Sequence, residues 1–328
     1  MTDDPSNRLT VERLELPAQR AVRLLARGRL DDLGEAYRRL KGADAEGLHD
    51  FRVALRRLRS WIRTFRPYLD DTLERKARRA LEKMARATNP ARDAEITLES
   101  INMLDDLPPG AHRARGRLRT LLKAERVDVA TVIDESLGGG FGSLVDDLRE
   151  QLSFYRVRVP IDEDVQHESM RRAIAAALRR SIDKLARELR KLQSASDVRS
   201  AHRVRLATKR LRYLLESLEL TPNGLALLER LTTMQRSLGV YHDAQVVVNH
   251  LVDTGVALAA RTERRRARVA LGQRNATRSN NPLRPNALLG LARRIEARGG
   301  EAFAQFHAAR DDRALIDAAR EVVDEIVA

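Results

Sequence analysis

Apolar side chains recur along this chain at steps of three and four residues, and no stretch alternates two by two for long. That spacing belongs to helices with one buried stripe. Residues 48–69, LHDFRVALRRLRSWIRTFRPYL, are the clearest case. Phe51, Leu55, Leu58, Ile62 and Phe65 form the stripe, and Pro67 is placed to stop or kink the helix. Residues 201–220, AHRVRLATKRLRYLLESLEL, form a second such helix, closed by Thr221-Pro222-Asn223-Gly224. Between and around them the pattern predicts one or two helices over 11–37, then helices over 71–88, 91–104, from 113, over 141–154, 167–192, 225–238, 241–260, 286–309 and 311–328. Residues 1–10 read as a mobile tail, 41–47 and 272–285 as loops, and Gly239 as a break. The run Arg261–Arg268 reads as solvated surface. The expectation is an all-α chain of about a dozen helices, and helices with apolar stripes pack as bundles.

The polar face of the 48–69 helix changes the picture. His49, Arg52, Arg56, Arg59 and Arg63 recur at helical steps on a stripe of their own, with Arg57 beside them, and Asp50 is the only acid before Asp70. Like charges at such spacings destabilise a helix by roughly 0.2–0.5 kcal/mol per pair. A sequence that accepts this repulsion points to an anionic partner. The same arrangement returns almost half the chain later. His202, Arg205, Lys209, Arg210 and Arg212 repeat the offsets of His49, Arg52, Arg56, Arg57 and Arg59, and Leu211 repeats Leu58. The shared pattern is H-x-x-R-x-x-x-[RK]-R-L-R. Two copies in one register imply an internal duplication, with halves over 11–156 and 165–310, a boundary near 157–164, and a helical tail over 311–328.

Charge and composition narrow the partner. The chain has 61 Lys+Arg against 47 Asp+Glu, a net charge of +14. Such a balance suits nucleic acid, an anionic membrane or an inorganic phosphate polymer. Arg offers a planar fork that grips phosphate oxygens two at a time. Cysteine is absent, which excludes disulfides, thiolate nucleophiles and Cys-ligated metals. No 18-residue apolar run suggests a membrane span, and the acidic start MTDDPSNRLT lacks a signal-peptide core, so a cytoplasmic protein is expected. LGGGFG at 137–142 lacks the Lys and Ser/Thr of a phosphate-binding P-loop and reads as a loop.

The duplicated motif resembles the CHAD domain, the conserved histidine α-helical domain. A second repeated element supports this: MARATNPARDAEI at 84–96 and MQRSLGVYHDAQV at 234–246, with Asp93 and Asp243 equivalent. The resemblance spans roughly residues 15–310. It implies two four-helix-bundle-like halves related by a pseudo-twofold, with the basic helices facing each other across a central cleft that binds inorganic polyphosphate. It implies no enzyme activity and no cofactor, and it suggests association with polyphosphate granules. The E-x-E-x-K strand signature of the CYTH triphosphatase domain is missing, so a stand-alone CHAD protein is expected.

The expected binding set is His49, Arg52, Arg56, Arg57, Arg59, Arg63, His202, Arg205, Lys209, Arg210 and Arg212, with Tyr213 at the cleft wall. Cations one helical turn apart, ~5 Å per step, match a linear polyanion that has no bases to stack. Each histidine either contacts phosphate or is structural, hydrogen-bonded to Asp93 or Asp243. These two acids read as structural supports. A general polyanion or RNA binder is the alternative function. Against it, aromatics are few near the basic faces and no helix-turn-helix, RRM or KH signature appears. A phosphohydrolase would need clustered carboxylates for Mg²⁺, and the one D-x-D, Asp162 and Asp164, lies in the expected linker.

Overall fold

The computed structural model describes residues 7–42, 44, 46–105, 107, 109–124, 128–154, 168–271 and 285–328. The expected boundary near 157–164 and the expected loop up to residue 284 lie outside them. Among the described residues the fold is all-helical, with no strand beyond two isolated bridges. The helices are α1 (Val11–Leu14), α2 (Ala18–Lys41), α3 (Gly47–Thr64), α4 (Arg75–Ala87), α5 (Asn89–Asn102), α6 (Pro109–Ala124), α7 (Val129–Leu137), α8 (Gly140–Ser153), α9 (Met170–Lys191), α10 (Val198–Leu215), α11 (Pro222–Ala270), α12 (Pro285–Ala308) and α13 (Asp312–Val327).

Local chemistry sets many of the boundaries. The Asp128, Ser169, Asp197 and Asp311 side chains accept backbone N–H groups at the starts of α7, α9, α10 and α13, as N-caps do. α3 ends just before Pro67, and a 3-10 turn, Arg66–Tyr68, follows. α8 starts from Gly138 and Gly140, both at positive φ, a conformation that only glycine adopts without strain.

The chain forms two compact units. Unit 1 comprises Met1–Asn89, Asp128–Gln235 and Arg310–Ala328; unit 2 comprises Pro90–Val127 and Arg236–Ala309. Each unit therefore draws on both sequence halves. In unit 1, α2 packs on α3 and α8, and α9 packs on α10 and α13. Trp61 is buried, and its Nε1–H donates to the Val22 carbonyl at 2.9 Å. In unit 2, α6 packs on α12, around Leu118, Val247, Leu251 and Leu291.

Two expectations are corrected. Residues 7–10 are no mobile tail. Leu9 is buried, its N–H donates to the Ser217 carbonyl at 2.7 Å, and its carbonyl accepts from Glu219 N–H at 3.1 Å. The second correction concerns Gly239, which breaks nothing: α11 runs unbroken from Pro222 to Ala270. One helical glycine costs about 1 kcal/mol against alanine, and burial of the flanking Leu238 and Tyr241 outweighs it.

Candidate functional site

The two basic helices meet inside unit 1. α3 packs against α10, and it also packs against α4. Their apolar stripes, Phe51, Leu55, Leu58 and Ile62 on α3 and Val204, Ala207 and Leu211 on α10, are buried. Burying one stripe forces the cationic stripe of each helix outward. Contacts run in opposite order along the two helices: Arg63 lies near Arg210, while Arg56 Nη1 donates to the Tyr213 hydroxyl at 3.1 Å.

The guanidinium groups crowd one another. Loss of water around Arg59 pushes its pKa down, and the charges of Arg63 and Arg86 push the same way against Glu82. Arg210 is also held down, first by desolvation and then by Arg63. Among the described residues no carboxylate lies within ion-pair distance of Arg59, Arg63 or Arg210. Half-buried His202 is held below the ordinary histidine value, chiefly by desolvation and then by Arg205 and Lys209. These groups make a strongly electropositive patch.

Between α3 and α4 the patch deepens into a cavity of about 250 Å³. Arg52, Arg56, Arg59 and Arg86 line it, with Glu82 as the acid in its wall. Arg52 is aimed by the helix junction: its Nη1 donates to Thr88 Oγ1 at 2.5 Å, and both terminal nitrogens reach Asn89 Oδ1 at 3.3 Å. Among the expected residues, Arg57 and Arg212 sit differently. Glu216, at the end of α10, accepts from Arg212 Nη1 at 2.5 Å and approaches Arg57 Nη2 at 3.5 Å. Arg212 Nε also donates to Gln235 Oε1 at 2.9 Å. One internal carboxylate thus holds a cation from each basic helix.

His49 is exposed on the first turn of α3 and Tyr213 is buried. Asp93 and Asp243 belong to unit 2; Asp93 is exposed on α5 and Asp243 is half-buried on α11. Sequence reasoning missed Glu216, Gln235, Glu82 and Thr88 as members of the patch. Only Glu216 left a local signal, four residues after Arg212, the spacing of a helical ion pair.

A face of this kind defines a class: an all-helical protein with a patch of converging arginines, suited to an anionic polymer. The particular family follows from comparison. The CHAD domain profile matches residues 24–252, and the chain belongs to that family. Two solved structures share the fold. The crystal structure of the CHAD domain from the plant Ricinus communis is 20% identical, with a TM-score of 0.61, covering 99% of this chain and 97% of its own. PptA from Streptomyces chartreusis is 17% identical, with a TM-score of 0.57, covering 95% of this chain and 99% of its own. No curated protein matches the chain in sequence. Among the described residues no helix is long and apolar enough to cross a membrane.

Proposed function

We propose that the protein binds inorganic polyphosphate, without consuming it, through the basic faces of α3 and α10. The observation that carries this reading is the packing of α3 on α10 in unit 1, which brings Arg63 near Arg210 and leaves Arg59 and Arg210 depressed, by desolvation first and by the charge of Arg63 second. Mutual repulsion of that kind is relieved by an anion, and guanidinium forks match phosphate oxygens. A helix-borne row of cations without exposed aromatic rings suits a polymer that has phosphates and no bases. His49, Arg52, Arg205 and Lys209 extend the row. Arg57 and Arg212 join it to the extent that the ligand draws them from Glu216. The protein acts in the cytoplasm, at polyphosphate granules where these form.

The test is calorimetric titration with long-chain polyphosphate and with single-stranded RNA of matched charge, at physiological salt. Tight polyphosphate binding with weak RNA binding is expected. Equal binding would make the protein a general polyanion binder. The pairs R56E/R59E and K209E/R212E are each expected to weaken binding more than tenfold, since a hydrogen bond to a charged group contributes roughly 1.5–3 kcal/mol, with helix content unchanged. Binding that survives both pairs would remove α3 and α10 from the site. Metal-dependent release of orthophosphate would overturn the non-catalytic reading.

A further inference from the structure

The end of α11 has no core of its own. Leu251 is the last fully buried residue of that helix, and every residue from Ala259 to Leu271 is exposed. At 1.5 Å per residue this is roughly 18 Å of bare helix. The family profile ends at residue 252, before this projection. With about 100° of turn per residue, Arg261, Arg264, Arg265 and Arg268 fall within one sector about 100° wide. Among the described residues, none of these four has a carboxylate within ion-pair distance. The nearby acid, Glu263, is taken by Arg266 at 2.6 Å. Ala259, Ala270 and the Glu263–Arg266 pair fall on the other side of the helix.

Two liabilities coincide here. Cations at three- and four-residue spacing repel along a helix, and a helix of this length without packing is marginal in water. An anion laid along the stripe relieves both. We propose that Arg261, Arg264, Arg265 and Arg268 form a second binding element, separate from the patch on α3 and α10, for a single linear polyphosphate chain running along one side of α11. The proposal rests on the polyphosphate reading of unit 1. Its one-sidedness argues for a single chain. A helix lodged in the major groove of a duplex has a phosphate backbone on either side and needs free cations on both; here the second side offers one arginine, Arg266, already paired with Glu263. Single-stranded nucleic acid is gripped by stacking its bases on aromatic rings, and the chain has none between Tyr241 and Phe303.

The experiment compares the full-length protein with R261Q/R264Q/R265Q/R268Q and with the matching quadruple lysine variant. The probes are long-chain polyphosphate, charge-matched single-stranded RNA and a DNA duplex, titrated across a salt series. Glutamine keeps helix propensity, and circular dichroism checks the fold. The glutamine variant is expected to lose about tenfold in polyphosphate affinity. Its plot of log affinity against log salt should flatten by roughly 2–3, at about 0.7 per phosphate contact of a single strand. The lysine variant should keep most of the affinity. Wild-type binding with an unchanged glutamine variant overturns the second element and leaves the unit 1 reading standing. No polyphosphate binding by the wild type overturns both. A loss confined to RNA or to the duplex overturns the choice of ligand.

Discussion

Glu216 shows how one carboxylate can set the strength of a cationic face. Its side chain is 13% exposed, so solvent screens it little. It holds Arg212 at 2.5 Å and Arg57 at 3.5 Å, and a polyanion must compete with it for both. The E216Q variant keeps an acceptor for Arg212 and loses the charge. It should bind polyphosphate several-fold more tightly, with a salt dependence steeper by roughly one unit per cation released. Weaker binding would mean that Glu216 aims the two arginines at the ligand. His202 gives a pH test. Desolvation, then Arg205 and Lys209, hold it below its ordinary 6.5, so it is neutral at pH 7. The folded chain resists its protonation more than the unfolded chain does. Its contribution to stability is therefore full above the ordinary histidine range and is lost as pH falls through the lowered value. A bound polyanion reverses the local field and raises that value, so affinity should increase as pH drops below about 6.5. Nuclear magnetic resonance titration of the His202 ring, with and without polyphosphate, checks this. A midpoint that does not move would place His202 away from the ligand.

At the scale of elements, glycines report where helices have room. A Cβ at Gly239 would meet nothing within 4 Å. G239A should stabilise α11 by roughly 0.5–1 kcal/mol, the helical difference between the two residues. In unit 2 a Cβ at Gly299 of α12 would come within 2.7 Å of the Ala244 Cβ on α11. G299A should cost about 1–3 kcal/mol by forcing the two helices apart. Chemical denaturation of both variants checks the pair; a destabilised G239A would mean that α11 needs its glycine to bend. This contrast explains what sequence could and could not say about these elements. Periodicity located α3 and the start of α10 closely, because their stripes are long, but it overran the end of the second: α10 stops at Leu215, and Thr221–Gly224 open α11 instead of closing α10. It misjudged Gly239, because a propensity of 1 kcal/mol loses to tertiary burial of Leu238 and Tyr241. It also took residues 7–10 for a tail, because one buried leucine, Leu9, leaves no periodic signal.

For the whole molecule, the sequence by itself determined the helical class, the basic character and the two matching cationic stripes. These are properties of spacing and charge, which local geometry turns into faces. The family was legible for the same reason: its signature is a register, H-x-x-R-x-x-x-[RK]-R-L-R, and register survives in a linear text. Only the tertiary structure decided which stripe meets which. An apolar face must be covered, but its periodicity does not say by what, so the assembly of each compact unit from segments of both sequence halves had no linear signal. The same holds for the site. That α3 packs on α10 and α4, that Arg86 and Thr88 join Arg52 and Arg59, and that Glu216 holds cations of two helices are all contacts between residues far apart in the chain. The chain's charges were readable in order, but their mutual distances, and hence which arginines stand without a counter-charge, exist only after packing has brought the helices together.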